Sequence, residues 1–156
     1  MNEEQIEFWN GPPGQRWAAG QDEIDTAFRK LDEALFGAVK ISPGEKILDV
    51  GCGCGTTTFR LAELTGADGY ALGVDIAKHM LDIAETRARE INSSAAFLEA
   101  DAAQHDFSAM RFDLLFSRFG VMFFDNPFYA FKNLRKAMRV DGLLCFLCWR
   151  SDSESC

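Results

Sequence analysis

The chain has 156 residues, of which 47% are hydrophobic and 26% are charged, and its formal net charge is −8. This length and composition are typical of one folded domain that is large enough to bury a core. The acidic balance argues against nucleic acid or an anionic membrane as a partner, because both surfaces would repel the chain.

The first residues and the cysteines both bear on location. The start, MNEEQIEFW, is acidic rather than signal-like, and no apolar run is as long as a membrane span. Five cysteines without a secretory signal favour free thiols in a reducing compartment, so we expect a cytoplasmic protein.

Cys145 and Cys148 have C-x-x-C spacing, but on a strand they would face opposite sides and could not share a metal.

The amino-terminal part is predicted to be helical. Residues 3–20 indicate a short helix, a turn and a segment that carries aromatic side chains. Apolar residues at helical spacing, with acidic residues in the first turn, predict a helix over residues 21–39. Residues 42–44, Ser-Pro-Gly, then predict a turn before the first strand.

The stretch KILDVGCGCG, Lys46 to Gly55, is central to the prediction. Its apolar half predicts a strand buried on both faces, and the residues after it predict a helix. The glycine-rich turn between them leaves backbone N–H groups at the positive end of a helix dipole, where a ligand can approach bare backbone. The spacing is G-x-G-x-G rather than the G-x-G-x-x-G of dinucleotide sites. A tight connection that merely needs small residues is the alternative.

Strand and helix alternate through the rest of the chain. Further helices are predicted over residues 56–64, 77–91 and 127–138, and further strands over residues 70–75, 95–101, 112–117 and 143–149. This alternation predicts an α/β fold: a Rossmann-like, doubly wound parallel sheet of about five strands with helices on both faces. Ligands of such sheets bind beyond the carboxyl ends of the strands.

Two aspartates end predicted strands and would line that crevice. Asp75, 22 residues after Gly53, suits the two hydroxyls of a ribose, with a helix cap as the alternative. Asp101, beside the backbone N–H of Ala102, suits the amino edge of an adenine, with a surface cap as the alternative. Asp49 lies in the apolar first strand and needs donors if it is buried. It would brace the glycine turn or hold a ligand ammonium group through water.

These motifs resemble those of class I S-adenosylmethionine-dependent methyltransferases. The segments that carry the likeness are LDVGCGCGTTTFRLA, GVDIAKHML, EADAAQHDF, FDLLFSRFGVMFF and the D-G-L-L before the fifth strand. With W-N-G before the fold, they are most similar to a bacterial group that acts on small molecules. The likeness runs from about Trp9 to Arg150 and is specific for the fold and the cofactor, but not for the substrate.

The resemblance implies S-adenosylmethionine as the cofactor and a small-molecule methyl acceptor. The residues that it assigns to the cofactor are Asp49, Gly51, Cys52, Gly53, Asp75, Ile76, Asp101, Ala102 and Ser117. Gly51 and Gly53 would approach the methionine part, and Ser117 would lie near the same end. Trp17 and the N-terminal helices are similar to the cover that the family places over its pocket.

The expected organisation is an N-terminal helical cover over residues 1–41, a cofactor-binding core over residues 42–150 and a polar tail over residues 151–156. The resembling group usually continues with two further strands, and these final strands of the usual seven-stranded fold are missing here. The fifth strand would then form an exposed apolar edge. We therefore expect either a homodimer through this edge or a truncated product that needs a partner.

Transfer of a methyl group from a sulfonium needs mainly alignment, because the leaving group is already good. Phe119, Phe123 and Phe124 would add cation–π attraction if they face the sulfonium, and are core residues otherwise. His105 is the candidate general base if the acceptor must lose a proton, with an ordinary loop hydrogen bond as the alternative. Two other interpretations stay open: a cofactor-binding protein without turnover, and a nicotinamide-dependent oxidoreductase, which the glycine spacing disfavours.

Overall fold

The computed structural model describes residues 2–150, so the predicted tail over residues 151–156 lies outside the described residues. The helices are α1 (Glu3–Asn10), α2 (Pro12–Ala19), α3 (Gln21–Gly37), α4 (Thr56–Thr65), α5 (Lys78–Glu90) and α6 (Pro127–Ala137). The strands are β1 (Lys46–Val50), β2 (Tyr70–Asp75), β3 (Ala96–Glu99), β4 (Phe112–Arg118) and β5 (Met138–Leu147). A 3₁₀ turn, Gly120–Phe123, follows β4.

The strands form one parallel sheet in the order β3-β2-β1-β4-β5. The predicted α/β fold with a doubly wound parallel sheet is therefore confirmed. Along the chain, strands are added on one side of β1 up to β3 and on the other side from β4 onward. The order reverses between β1 and β4, and this reversal places the ligand crevice beyond their carboxyl ends.

Two hydrophobic cores cover the two faces of the sheet. Leu48 and Val50 of β1 pack with residues of α6, whereas Ile47 packs with residues of α3 and α4. Because successive side chains of a strand point to opposite faces, β1 is buried on both sides, as its apolar run predicts. Cys148 packs against the first core and Cys145 against the second, so these two cysteines do face opposite sides.

The fifth strand differs from the prediction at both ends. It begins at Met138, directly after α6, and ends at Leu147, rather than running over residues 143–149. Met138 pairs with Phe112 and Leu143 pairs with Leu114, so four residues of β5 stand against one residue of β4. The Asp141-Gly142 pair, which precedes the predicted start of the strand, lies inside this irregularity. None of the described helices is long and apolar enough to cross a membrane.

Candidate active site

The glycine turn after β1 has the conformation that its composition predicts. Gly51, Gly53 and Gly55 have φ angles of 71°, 52° and 87°, which L-residues with a side chain rarely adopt. A Cβ on Gly51 would lie 2.5 Å from the Cα of Gly120, so the two backbones touch there. A Cβ on Gly53 would meet nothing nearer than the sulfur of Met80 at 3.9 Å, which leaves this backbone open to a ligand.

Asp75, at the end of β2, holds this turn in place. Its Oδ2 accepts a hydrogen bond from the N–H of Gly53 at 2.8 Å, and its Oδ1 accepts one from the N–H of Ala77 at 2.9 Å. Burial raises the pKa of this carboxyl group, although the backbone hydrogen bonds oppose the shift. A carboxylate can accept about four hydrogen bonds, so Asp75 keeps acceptor capacity beyond its backbone contacts. Asp75 is not the cap of α5, whose N-cap residue is Ala77 without a side-chain cap hydrogen bond. Asp75 instead lines the cleft, and its ribose role stays a prediction.

Asp101, after β3, is also engaged by the protein. Its Oδ1 accepts hydrogen bonds from Asn2 Nδ2 and from the N–H of Ala103, both at 2.9 Å, and its Oδ2 accepts one from Gln104 Nε2 at 2.6 Å. Asn2 in turn accepts a hydrogen bond from the N–H of Asp125 at 2.9 Å. The amino-terminal end of the described chain is thereby fastened across the predicted adenine end of the cleft.

Asp49 lies beneath the turn and does not line the cleft. Its side chain is completely buried, and its Oδ2 accepts hydrogen bonds from the hydroxyls of Thr57 and Thr58, each at 2.7 Å. Its Oδ1 is buried without a hydrogen-bond partner among the described residues. Burial raises the pKa of Asp49 to about 6, against the two hydroxyl hydrogen bonds. Both hydroxyls belong to the first turn of α4, directly after the glycine turn, so this geometry favours the bracing role over the ammonium role.

Cys52 and Ser117, which were also predicted to bind the cofactor, are not among the residues that line the cleft. The Cys52 side chain is buried against Gly73, and burial raises the pKa of its thiol well above the usual range. The hydroxyl of Ser117 donates to the carbonyl of Val50 at 2.7 Å and accepts from the N–H groups of Gly120 and Val121. Ser117 therefore ties the end of β1 to the turn after β4.

The cleft itself lies where the sheet order reverses and has about 870 Å³ of space, part of it open to solvent. Six of the nine residues predicted to bind the cofactor line it: Gly51, Gly53, Asp75, Ile76, Asp101 and Ala102. The rest of the wall includes six aromatic residues: Trp9, Trp17, Phe119, Phe123, Phe124 and Trp149. Sequence analysis did not foresee Asn2, Arg118 or Trp149 in this wall.

A polar cluster connects the cover to the rest of the site. Asp25 of α3 accepts hydrogen bonds from the hydroxyl of Thr56 at 2.8 Å and from Arg87 at 3.2 Å. Arg118, at the end of β4, pairs with Asp32 at 2.8 Å and with Asp25 at 3.7 Å. Polar contacts thus connect helix α3 to the start of α4, to α5 and to β4.

His105 is not part of the cleft wall. Its side chain is exposed, and its ring packs on Phe107 with a centroid distance of 4.5 Å. Its carbonyl accepts a hydrogen bond from Asn133. The structure therefore does not support a catalytic role for His105 and agrees with the alternative of an ordinary loop residue.

This architecture is that of class I S-adenosylmethionine-dependent methyltransferases. It combines the sheet order, the glycine turn and the aspartates that end β2 and follow β3. The structure is similar to a crystal structure of a SAM dependent methyltransferase from Aquifex aeolicus, with a TM-score of 0.68 and 18% identity, covering 94% of this chain and 72% of that one. Residues 47–142, more than half of the chain, match the family model described as a methyltransferase domain. The chain therefore belongs to this methyltransferase domain family.

Curated relatives extend beyond the region that this chain matches. Aklanonic acid methyltransferase DauC of Streptomyces sp. (strain C5) is 32% identical over 120 residues, which are 76% of this chain and 54% of that protein. Phosphoethanolamine N-methyltransferase 1 of Arabidopsis thaliana is 28% identical over 123 residues, which are 79% of this chain and 25% of that protein. The chain thus spans about a quarter to about a half of the length of these relatives.

Proposed function

We propose that this chain binds S-adenosylmethionine in the cleft and transfers its methyl group to a small-molecule acceptor. The observation that carries the proposal is the cleft at the sheet reversal, with open glycine backbone at one end and two carboxylates along its length. Membership of the methyltransferase domain family supports it. The relatives named for aklanonic acid and for phosphoethanolamine support a small molecule as the acceptor.

The residues of the cleft fit the parts of this cofactor. The remaining acceptor positions of Asp75 suit the ribose hydroxyls, and the uncovered backbone at Gly51 and Gly53 suits the methionine part. Asp101 and Ala102 suit the adenine edge. When bound, the cofactor supplies a methyl group on a positively charged sulfur. The protein supplies position and exclusion of water, which are the main needs of such a transfer.

Replacement of Asp75 by Asn tests the proposal with S-adenosylhomocysteine as the calorimetric ligand. Asn keeps one acceptor for the backbone but removes the charge, so we expect the affinity to fall about 10- to 100-fold, the usual weight of a hydrogen bond to a charged group. Asp82→Asn is the matched control, because Asp82 lies exposed on α5 and pairs only with Lys78 among the described residues. Equal affinity in wild type and Asp75→Asn would remove the ribose assignment.

Two functional measurements separate the alternatives that the sequence left open. Methyl transfer to a panel of small acceptors by this chain distinguishes an enzyme from a cofactor-binding protein without turnover. Calorimetry with NAD addresses the oxidoreductase, an interpretation to which the family match lends no support.

We also propose that two copies pair through β5. Its outer edge carries Leu143, Leu144 and Phe146, with 56%, 47% and 46% of their surface exposed. An unpaired apolar edge strand is a ready template for another strand. Sedimentation velocity at increasing concentration is expected to show a dimer, and a monodisperse monomer at high concentration would contradict the pairing. The cytoplasmic location stays a prediction.

A further inference from the structure

We propose that the aromatic side of the cleft is the acceptor subsite, and that it takes a flat, aromatic molecule that carries an acidic hydroxyl group, such as a phenol. This inference rests on the proposed function and names the acceptor class for the same site. It follows from three properties of the wall: its rings, its charges and the lack, among the described residues that line it, of a base other than the two aspartates assigned to the cofactor.

Most rings of this wall belong to one connected cluster. Phe119 and Trp149 are stacked, with centroids 4.6 Å apart and planes 10° apart. Phe28 links this pair to Trp17, which packs against Trp9. Flat rings gain both buried area and favourable stacking against such a surface, whereas a small polar molecule gains neither.

Trp149 offers an open face to a ligand. It lines the cleft, one face of its ring is covered by Phe119, and 56% of its surface is exposed. Phe119 has a φ of 66°, a left-handed conformation that costs a bulky residue about 1–3 kcal/mol. Such strain persists where the surrounding structure holds it. Here the strained conformation places the Phe119 ring against Trp149.

The charges of the wall exclude a phosphorylated acceptor. Among the described residues that line the cleft, the titratable side chains are Asp75, Asp101 and Arg118. Arg118 is already paired with Asp32 and lies within ion-pair distance of Asp25. A phosphate group would therefore meet two carboxylates and a cation whose charge is already balanced.

Apart from Asp75 and Asp101, which the proposed function assigns to the cofactor, the same set of residues contains no histidine, lysine, cysteine, tyrosine or glutamate to act as a base. An acceptor hydroxyl must therefore lose its proton to solvent, which suits a phenol with a pKa near 10 far better than an aliphatic alcohol. The resulting phenolate oxygen forms a bond to the methyl carbon of the sulfonium donor. The carbon–sulfur bond breaks, and its electron pair stays on sulfur as a neutral thioether.

The test uses 7-hydroxycoumarin, a flat phenol whose absorption overlaps tryptophan emission. The chain has three tryptophans, Trp9, Trp17 and Trp149, and all of them line the cleft. Energy transfer from tryptophan to bound coumarin therefore reports binding at this wall. We expect transfer that saturates, with and without S-adenosylhomocysteine, and no competition from phosphoethanolamine or cyclohexanol.

Variants then locate the bound coumarin by calorimetry. Trp149→Leu removes the open ring, so we expect about fivefold weaker binding, whereas Trp149→Phe keeps a ring and restores affinity to within about twofold of wild type. Phe128→Leu is the control, because Phe128 is exposed on α6 outside the cleft and its loss is expected to change nothing.

Three results would overturn the subsite: no saturable transfer, unchanged affinity in Trp149→Leu, or tighter binding of phosphoethanolamine than of coumarin. Failure of the proposed function is distinguishable from these results. It would show as absent binding of S-adenosylhomocysteine, while the coumarin titration and its variants still decide whether the aromatic wall takes a flat phenol.

Discussion

The two sides of the cleft are built from different materials. The side formed by β1 and β2 consists of backbone and a half-buried carboxylate: Gly51 touches Gly120, and Asp75 accepts a hydrogen bond from Gly53. The opposite side is formed by aromatic rings from the first two helices and from the ends of β4 and β5. The contact between Gly51 and Gly120 leaves no room for an added atom, whereas rings that lie partly exposed can adjust. The first side thus suits one invariant ligand, and the second suits a range of acceptors.

The largest expected effect comes from Gly51→Ala, on the backbone side. The new Cβ would overlap the Cα of Gly120 at 2.5 Å and force a φ of 71° on alanine. We expect a loss of at least about 3 kcal/mol in the free energy of unfolding, with loss of binding to S-adenosylhomocysteine. Urea unfolding measures the change in stability, and calorimetry measures the binding of S-adenosylhomocysteine.

Gly37→Ala is the matched control, because Gly37 is exposed at the end of α3 and a Cβ there meets nothing within 4 Å. Its effect should be a stabilisation of at most about 1 kcal/mol. Similar stabilities for the two variants would show that the contact between Gly51 and Gly120 does not hold the turn.

Asp49→Asn sharpens the comparison through pH. The folded protein holds a proton on Asp49 up to about pH 6, whereas the ordinary pKa of an aspartate is 3.8. Between these two pH values the folded state therefore binds more protons than the unfolded state. The stability of wild type relative to Asp49→Asn should therefore fall as the pH rises from about 4 to 7. About 2 pKa units correspond to a fall of up to about 3 kcal/mol.

Urea unfolding of both proteins across this pH range measures the effect, and groups common to both cancel in the difference. A difference that stays constant with pH, or that rises, would mean that Asp49 is ionised in the folded protein and has donors besides the hydroxyls of Thr57 and Thr58.

The smallest expected effect concerns the cover. Asp25→Asn weakens the attachment of α3 to Thr56, Arg87 and Arg118, and we expect a loss of about 1–2 kcal/mol in the free energy of unfolding. Tryptophan emission should shift to longer wavelength as the aromatic side loosens. Asp22→Asn, on the exposed face of the same helix, should cost about 0.5 kcal/mol or less and leave the emission unchanged. Equal effects of the two changes would argue against the attachment.

Much of the fold was predictable because its signals are local. The apolar run of β1, the glycines after it and the aspartates that end β2 and follow β3 occupy short stretches, each with its own geometric consequence. Parallel strands bring their carboxyl ends to one edge, so these residues had to meet. The pleat alone also predicted that Cys145 and Cys148 face opposite cores.

Only the tertiary structure decided what stands around that edge. Asn2 donates a hydrogen bond to Asp101, 99 residues away, and Arg118 donates one to Asp32, 86 residues away. No periodicity in the sequence predicts either pair. Asp49 and Ser117 turned inward because neighbouring hydroxyl and backbone groups needed partners, which a motif cannot show. Short-range sequence determined the side of the cleft made of backbone, and long-range packing, which depends on every element at once, decided the aromatic side.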